Sequence, residues 1–204
     1  MGVISGSGMG KSNAVMNIIN LFSQGKGTFS HIYVYHKLEE QLYDYLRDKC
    51  KDKITFYKTL AKVPACRDLK NDEPGDKSPC LFIFDDCIVD KDQSKINDYF
   101  IYGRKAYGGN GICCMYLSQN YFSIPKVIRG QLTYIILLKI RGNRDLKMIL
   151  NDCNVGIDIE HFEGIFKNAT QQELSFLKID IANRDDDKVL SKGFDYYYKI
   201  SDLM

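Results

Sequence analysis

Blocks of apolar residues alternate with amphipathic stretches along most of this chain. The apolar blocks are short, as is typical of strands buried on both faces, and the stretches between them carry apolar residues at helical spacing. Strands that alternate with helices form mainly parallel sheets with helices on their faces. The pattern therefore predicts an α/β fold with a mainly parallel central sheet flanked by helices. The predicted strands comprise residues 1–4, 31–35, 53–59, 81–84, 111–117 and 134–140.

The amphipathic stretches predict helices and the side chains that face the core. Residues 11–22 carry one apolar face, and Gly25 and Gly27 are expected to end that helix. The next helix is predicted to bury Leu38, Leu42, Tyr45 and Leu46. Further helices are predicted at residues 92–107, 145–153 and 160–168.

The C-terminal part predicts a β-hairpin. Its strands are expected at residues 176–181 and 194–200, joined by a polar loop at residues 183–192, and another polar loop is expected at residues 68–79. The length fits a single domain, residues 1–204. Within it we expect a core of about residues 1–150 and a helical and hairpin extension of about residues 151–204.

Composition narrows the class of partner. The net charge is +2, so any contact with nucleic acid has to come from local basic patches. The seven cysteines include no C-x-x-C pair, which argues against a zinc site, and their odd number favours a reducing, cytoplasm-like compartment. No apolar run reaches the roughly 18 residues of a membrane-spanning helix, and the start lacks a signal-peptide pattern, so no membrane partner is expected.

A glycine-rich segment between the first predicted strand and helix carries the clearest chemistry. It reads S-G-S-G-M-G-K-S and fits the phosphate-binding pattern G-x-x-x-x-G-K-[ST], except that Ser5 replaces the first glycine and Gly6 follows it. Lys11 would reach the β- and γ-phosphates of a nucleotide, and the Ser12 hydroxyl would bind Mg²⁺. The alternative is a Gly/Ser-rich turn that happens to precede a lysine. The predicted nucleotide-binding residues are Ser5, Gly6, Ser7, Gly8, Met9, Gly10, Lys11, Ser12 and Asn13.

Two carboxylates follow the apolar strand at residues 81–84. Asp85 and Asp86 stand at the strand end where α/β sheets bind ligands. In phosphate-loop enzymes an acid at this position holds Mg²⁺, a role that falls to Asp85, through water. Asp86 would orient or deprotonate the attacking water. Without the glycine-rich loop, a strand ending in an acidic turn would explain the same residues.

Three further polar residues are candidates for functional contacts: Gln119 to the γ-phosphate or its attacking water, Arg104 to nucleotide or DNA, and Arg129 to phosphate or as an arginine finger across a subunit interface. Gln119 ends the strand at residues 111–117, although Ser-Gln-Asn is also a common turn sequence. Arg104 lies in the last turn of a predicted helix, where the helix dipole alone would favour a cation. Arg129 belongs to the most basic window, residues 126–147, which is either a solvated face or a source of phosphate contacts.

Residues from the glycine-rich loop to about residue 140 resemble the FtsK–HerA superfamily of DNA-pumping ATPases, and within it the poxvirus-type genome-packaging ATPases. The resemblance covers about two thirds of the chain. It implies a P-loop NTPase of the additional-strand (ASCE/RecA-like) type, with a strand between the loop strand and the carboxylate strand. It is carried by the glycine-rich loop, by L-F-I-F-D-D-C at residues 81–87, by Y-G-R-K at residues 102–105, and above all by L-S-Q-N-Y-F at residues 117–122 with I-P-K-V-I-R at residues 124–129.

The resemblance implies an ATP-driven translocase that packages a double-stranded DNA viral genome into a preformed capsid. Lys11, Asp85, Asp86 and Gln119 would then be catalytic, with Ser12 and Asp85 holding Mg²⁺ and with ATP as the nucleotide. The family places its active sites between subunits of a ring, here of about five or six copies. The arginine supplied by the neighbouring subunit would be Arg104 or Arg129.

The implied partners are double-stranded DNA, further copies of the chain, and capsid or portal-vertex proteins. The implied location is the host cytoplasm or a viral factory, with association with the virion as a further option. Three other functions fit the same residues: a DNA pump for conjugation or segregation, a nucleotide-binding assembly protein with weak hydrolysis, and a P-loop kinase.

Overall fold

The computed structural model of this protein describes residues 1–22, 28–71 and 75–202. The expected helix end at Gly25 and Gly27, and part of the polar loop predicted at residues 68–79, lie outside the described residues. In chain order the strands are β1 (Gly2–Ile4), β2 (Ile32–Tyr35), β3 (Ile54–Tyr57), β4 (Cys80–Asp85), β5 (Ile112–Ser118), β6 (Tyr134–Leu137), β7 (Leu177–Asp180), β8 (Leu190–Lys192) and β9 (Tyr196–Tyr197). The helices are α1 (Lys11–Phe22), α2 (Gln41–Cys50), α3 (Ser94–Tyr102), α4 (Lys126–Arg129), α5 (Asn143–Cys153) and α6 (Ile159–Ala169).

The chain forms two compact units, which we name after their candidate functional groups. The loop unit comprises Met1–Lys11 and Ser118–Met204, and the carboxylate unit comprises Ser12–Leu117.

Parallel strands form the carboxylate unit. Their order is β3-β2-β4-β5, and every neighbouring pair runs in the same direction. All six residues of β4 are buried, because this strand has a neighbour on each side and an apolar sequence that suits both faces. Its last residue is Asp85, so the strand brings a carboxylate to the carboxyl edge of these strands.

The helices of the carboxylate unit differ in detail from the sequence prediction. Tyr43 and Leu46 form the buried face of α2, whereas Leu38 is 68% exposed and Tyr45 is 45% exposed. Leu38 precedes α2, which begins at Gln41, so the apolar face predicted by counting helical spacing from Leu38 is not the face that the helix buries. The Tyr43 ring fills the space instead, with its centroid 4.5 Å from that of His36.

The helix predicted at residues 92–107 is also shorter than expected. It ends at Tyr102 and continues as two 3₁₀ turns, Gly103–Lys105 and Tyr107–Gly109. A Cβ at Gly103 would lie 3.4 Å from the carbonyl oxygen of Ile112. The backbone at Gly103 therefore packs directly against β5.

The loop unit joins one parallel pair of strands to an antiparallel extension. β1 pairs in parallel with β6, and β6, β7, β8 and β9 then follow one another antiparallel. The strand expected at residues 176–181 is present as β7. Its partner β8 lies inside the predicted polar loop, and the strand expected at residues 194–200 shrinks to the two residues of β9. Leu190, fully buried within a charged stretch, explains the difference. The α/β prediction with a C-terminal hairpin is confirmed.

Candidate nucleotide-binding site

The glycine-rich segment leaves β1 as a loop that depends on two of its glycines. Gly8 has φ 71° and Gly10 has φ 84°, values that other residues rarely adopt. Ser5 is not among the positive-φ residues, and its N–H donates a hydrogen bond to the carbonyl of Ser118 at 3.2 Å. Serine is therefore tolerated at the first-glycine position, because the backbone does not need the freedom of glycine there.

Backbone hydrogen bonds hold the start of this loop and leave its middle open. Gly6 N–H donates to the carbonyl of Lys139 at 3.0 Å. Among the described residues, the N–H groups of Ser7, Gly8 and Gly10 donate to no backbone carbonyl, and a Cβ at Gly8 would meet no atom within 4 Å. The N–H of Met9, between them, donates to the Gly6 carbonyl at 3.2 Å and closes the turn. Unused N–H groups on a glycine-rich turn can bind an anion, so the loop fits the phosphates of a nucleotide.

A residue that the sequence analysis missed lies against the same loop. A Cβ at Gly10 would collide with Cδ2 of Leu174, which follows α6. Leu174 itself has φ 62°, a strained value for a side chain of its size. Only the tertiary structure could reveal this contact, because no local pattern distinguishes Leu174 from other loop leucines.

In the carboxylate unit, Asp85 is held by a tyrosine. The hydroxyl of Tyr43, a residue of α2, donates a hydrogen bond to Oδ2 of Asp85. Both side chains are buried, Asp85 with 3% of its surface exposed. Burial, and secondarily the charge of Asp85, raises the pKa of Tyr43 well above its usual range, so the phenol remains a donor at neutral pH.

Ser12 is bonded to Glu40, the residue directly before α2. Its Oγ donates a hydrogen bond to Oε2 of Glu40 at 2.5 Å, and the Tyr43 N–H donates to the Glu40 carbonyl at 2.8 Å. The two predicted Mg²⁺ ligands are thus held from the start of α2: Glu40 bonds to Ser12, and Tyr43, about one helical turn later, bonds to Asp85.

A hydroxyl and a carboxylate suit Mg²⁺, which takes oxygen ligands and usually keeps waters or substrate phosphates as the others. The described residues contain no group of three His, Cys, Asp or Glu side chains that would hold a metal alone. Ser12 and Asp85 supply oxygen groups of the kind that Mg²⁺ binds, and their role as its ligands stays a prediction.

Asp86 adopts an uncommon backbone conformation. Its φ of 50° and ψ of 37° place it in the left-handed region, directly before the 3₁₀ turn Cys87–Val89. Such conformations carry a modest energetic cost in residues other than glycine and cluster at functional sites.

Gln119 projects from a turn that is fixed on both sides. Ser118 Oγ donates to the Asn120 carbonyl at 2.8 Å, and the Phe122 N–H donates to Oδ1 of Asp145 at 3.0 Å. Gln119 is exposed, and it lines a cleft of about 410 Å³ together with Gly6 and Ser7 of the loop. The turn and the glycine-rich loop therefore open onto one space within the loop unit. No sequence pattern marks Asp145 as part of this site, and the side chain is buried in the first turn of α5.

The two arginines proposed from the sequence differ in their surroundings. Arg129 has a side chain only 13% exposed, with its Nε 3.4 Å from Oδ2 of Asp152 and its guanidinium over the Tyr121 ring. Arg104 is exposed in the turn Gly103–Lys105. The structure gives Arg129 internal partners and leaves Arg104 at the surface of its unit.

Comparison with known proteins identifies the fold. No family model and no curated protein sequence matches the chain. Among solved structures, it is similar to the genome packaging NTPase B204 from Sulfolobus turreted icosahedral virus 2 in complex with ATPγS, with a TM-score of 0.59 and 18% identity over 89% of this chain and 91% of that chain. The DNA-packaging ATPase B204 from Sulfolobus turreted icosahedral virus gives a TM-score of 0.58 and 19% identity over the same shares.

A second kind of protein shares the fold. ATPases 2 and 3 of EssC from Geobacillus thermodenitrificans give a TM-score of 0.61 and 10% identity over 97% of this chain, which corresponds to 39% of that chain. The chain therefore has the P-loop NTPase fold that the sequence predicted. Among its described helices, none is both long enough and apolar enough to cross a bilayer.

Proposed function

We propose that this protein is an ATPase that hydrolyses MgATP. The observation that carries the proposal is the loop after β1, where the unused N–H groups of Ser7, Gly8 and Gly10 precede Lys11 and Ser12. The fold agrees with it, because a protein of the same fold has been solved with ATPγS.

The chain's own groups have distinct tasks in this proposal. The loop N–H groups and Lys11 bind the phosphates, while Ser12 and Asp85 hold Mg²⁺, which neutralises charge on the phosphate oxygens when bound. Asp86 accepts a hydrogen bond from the attacking water and orients it in line with the γ-phosphate. Gln119 donates its amide hydrogen to a γ-phosphate oxygen. Catalysis of phosphoryl transfer by such groups is mainly positioning and charge stabilisation.

Phosphate release from ATP tests the activity. Lys11→Ala and Asp86→Asn should abolish it, whereas Lys91→Ala and Asp92→Asn, which change exposed residues of the same types, should leave it intact. If the unaltered protein bound MgATP tightly but released no phosphate, even with DNA present, the ATPase proposal would be wrong and a nucleotide-binding assembly role would replace it.

We further propose that hydrolysis drives double-stranded DNA into a viral capsid. This finer proposal is supported by the resemblance of residues 117–129 to packaging ATPases and by the likeness to B204, which is described as a genome packaging NTPase and matches over 91% of its chain. Double-stranded DNA should stimulate the ATPase regardless of sequence, and the stimulation should fall as salt rises, since grip on phosphates is electrostatic. A DNA pump for conjugation or segregation would behave alike in this assay, and an adjacent capsid gene would separate the two.

We propose that Arg104 acts on the nucleotide of a neighbouring subunit in a ring of about five or six copies. Its exposure supports this role, whereas Arg129 is already paired with Asp152. Lys11→Ala and Arg104→Ala should each be inactive alone, and a mixture should regain activity, because each variant supplies the group that the other lacks. A mixture of Lys11→Ala with Asp86→Asn should stay inactive, since both changes damage the same site. Equal inactivity of the two mixtures would contradict the assignment.

A further inference from the structure

The cleft beside the start of the glycine-rich loop contains two arginines that the proposed mechanism does not use. Gly6, Ser7 and Gln119 line it, together with Arg141 and Arg144. Its volume of about 410 Å³ lies within the usual range for small-molecule sites. All of these residues belong to the loop unit.

The charge of these arginines is not neutralised by a salt bridge. Both side chains are exposed, and no carboxylate within the described ranges lies at ion-pair distance from Arg141 or Arg144. The acidic residue of the cleft, Asp145, is 6% exposed and accepts the backbone hydrogen bond of Phe122. The cleft therefore presents two unpaired guanidinium groups and one carboxylate that is committed to the backbone.

Arg144 is also held in place before any ligand arrives. Its guanidinium carbon lies 4.2 Å from the centroid of the Phe122 ring, and the backbone of Phe122 is fixed by Asp145. A guanidinium stacked on an aromatic face keeps its edge N–H groups available. Those groups form a planar fork that matches two oxygens of a phosphate.

We propose that Arg141 and Arg144 bind the terminal phosphate of the nucleotide held by the glycine-rich loop of the same subunit. The position of Gln119 in the cleft indicates which phosphate is bound, because the proposed function, on which this inference rests, assigns Gln119 to the γ-phosphate. Arg144 makes the bidentate contact to two oxygens of that phosphate, and Arg141 adds positive charge. The cleft then distinguishes a nucleoside triphosphate from the diphosphate left after hydrolysis.

Calorimetric titration with ADP and with a non-hydrolysable ATP analogue tests the proposal. Arg144→Ala should weaken binding of the ATP analogue about tenfold or more, the usual effect of losing a charged hydrogen bond, and should change ADP binding less than about twofold. Arg141→Ala should act in the same direction more weakly. Arg184→Ala, an exposed arginine that does not line the cleft, is the matched control and should change neither affinity.

The outcomes separate this inference from the proposed function. If the unaltered protein bound neither nucleotide, the ATPase proposal itself would fail. If it bound both, and Arg144→Ala weakened both equally, the stacked arginine would be structural and the inference alone would fail. Loss of DNA binding with an unchanged ratio of ATP-analogue to ADP affinity would also overturn it, in favour of a DNA contact. Should Arg144→Ala not fold, Arg144→Lys keeps the charge without the fork and must still lose part of the preference for the triphosphate.

Discussion

The hydroxyl of Tyr43 donates a hydrogen bond to Oδ2 of Asp85, and this contact joins α2 to the end of β4. The two residues are 42 positions apart in the sequence, and both side chains are buried. The bond keeps the carboxylate in one orientation at the edge where Mg²⁺ is proposed to bind. Groups that hold a metal ligand in this way commonly influence metal affinity as strongly as activity.

Tyr43→Phe should therefore raise the Mg²⁺ concentration needed for half-maximal ATPase rate, by about tenfold. The ring would still pack on His36 and Phe56, so the fold should be retained. The measurement is a Mg²⁺ titration of phosphate release. Tyr99→Phe is the matched control, since it removes a buried hydroxyl that donates to the carbonyl of Pro64 at 3.0 Å. An equal shift in the Mg²⁺ requirement of both variants would refute the role of Tyr43.

Glu40→Gln should slow ATP hydrolysis about tenfold while nucleotide binding without metal stays the same. Glu40 accepts the hydrogen of the Ser12 hydroxyl, which leaves the lone pairs of Oγ available to a metal. Single-turnover rates and metal-free titrations measure the two effects. Glu39→Gln is the control, because the Glu39 carboxylate is half-exposed and bonds to Lys58 instead. A metal-free affinity that fell along with the rate would assign Glu40 to nucleotide binding instead.

Gly10→Ala should damage the glycine-rich loop more than Gly8→Ala. Both positions have positive φ, which costs a non-glycine residue about 1 kcal/mol, but only the Cβ at Gly10 would collide with Leu174. Urea unfolding and binding of an ATP analogue should both show the difference. Adding Leu174→Ala to Gly10→Ala should recover the part due to the collision. No recovery would mean that Leu174 moves aside without cost.

The free energy of unfolding should fall as pH rises above about 8.5, the ordinary pKa of a thiol. Burial raises the pKa of Cys80 to about 12 and that of Cys66 to about 11. In the unfolded chain these thiols ionise at a lower pH than in the folded protein. Their contribution to the free energy of unfolding is therefore fully present below a pH of about 8.5, and it is lost as the pH approaches about 12. Urea unfolding at pH values from about 7 to about 10 measures how steeply the free energy of unfolding falls with pH.

Cys80→Ala isolates one thiol in that experiment. It should be less stable at pH of about 7, because β4 loses a buried side chain, yet its stability should fall less steeply with pH. Identical slopes for the variant and the unaltered protein would show that Cys80 does not ionise in this way.

Local features determined what the sequence could predict. The apolar run before Asp85 and the glycine spacing before Lys11 depend on neighbours within a few residues, because strand burial and loop backbone freedom are local requirements. Helix α1 occupies the predicted residues 11–22, since its apolar spacing is regular from end to end. The α/β class followed from these elements, and the glycine-rich loop was correctly predicted to lie between the first strand and the first helix.

Tertiary structure alone decided which distant residues surround these motifs. Tyr43 and Glu40 contact Asp85 and Ser12 because β2 and β4 are paired in parallel, which brings the start of α2 beside the end of β4. Leu174 lies against Gly10 because the chain returns to the loop after α6. A single sequence contains no periodic signal for such contacts. It determined the fold class and the candidate phosphate and metal groups, and packing determined what holds and surrounds each of them.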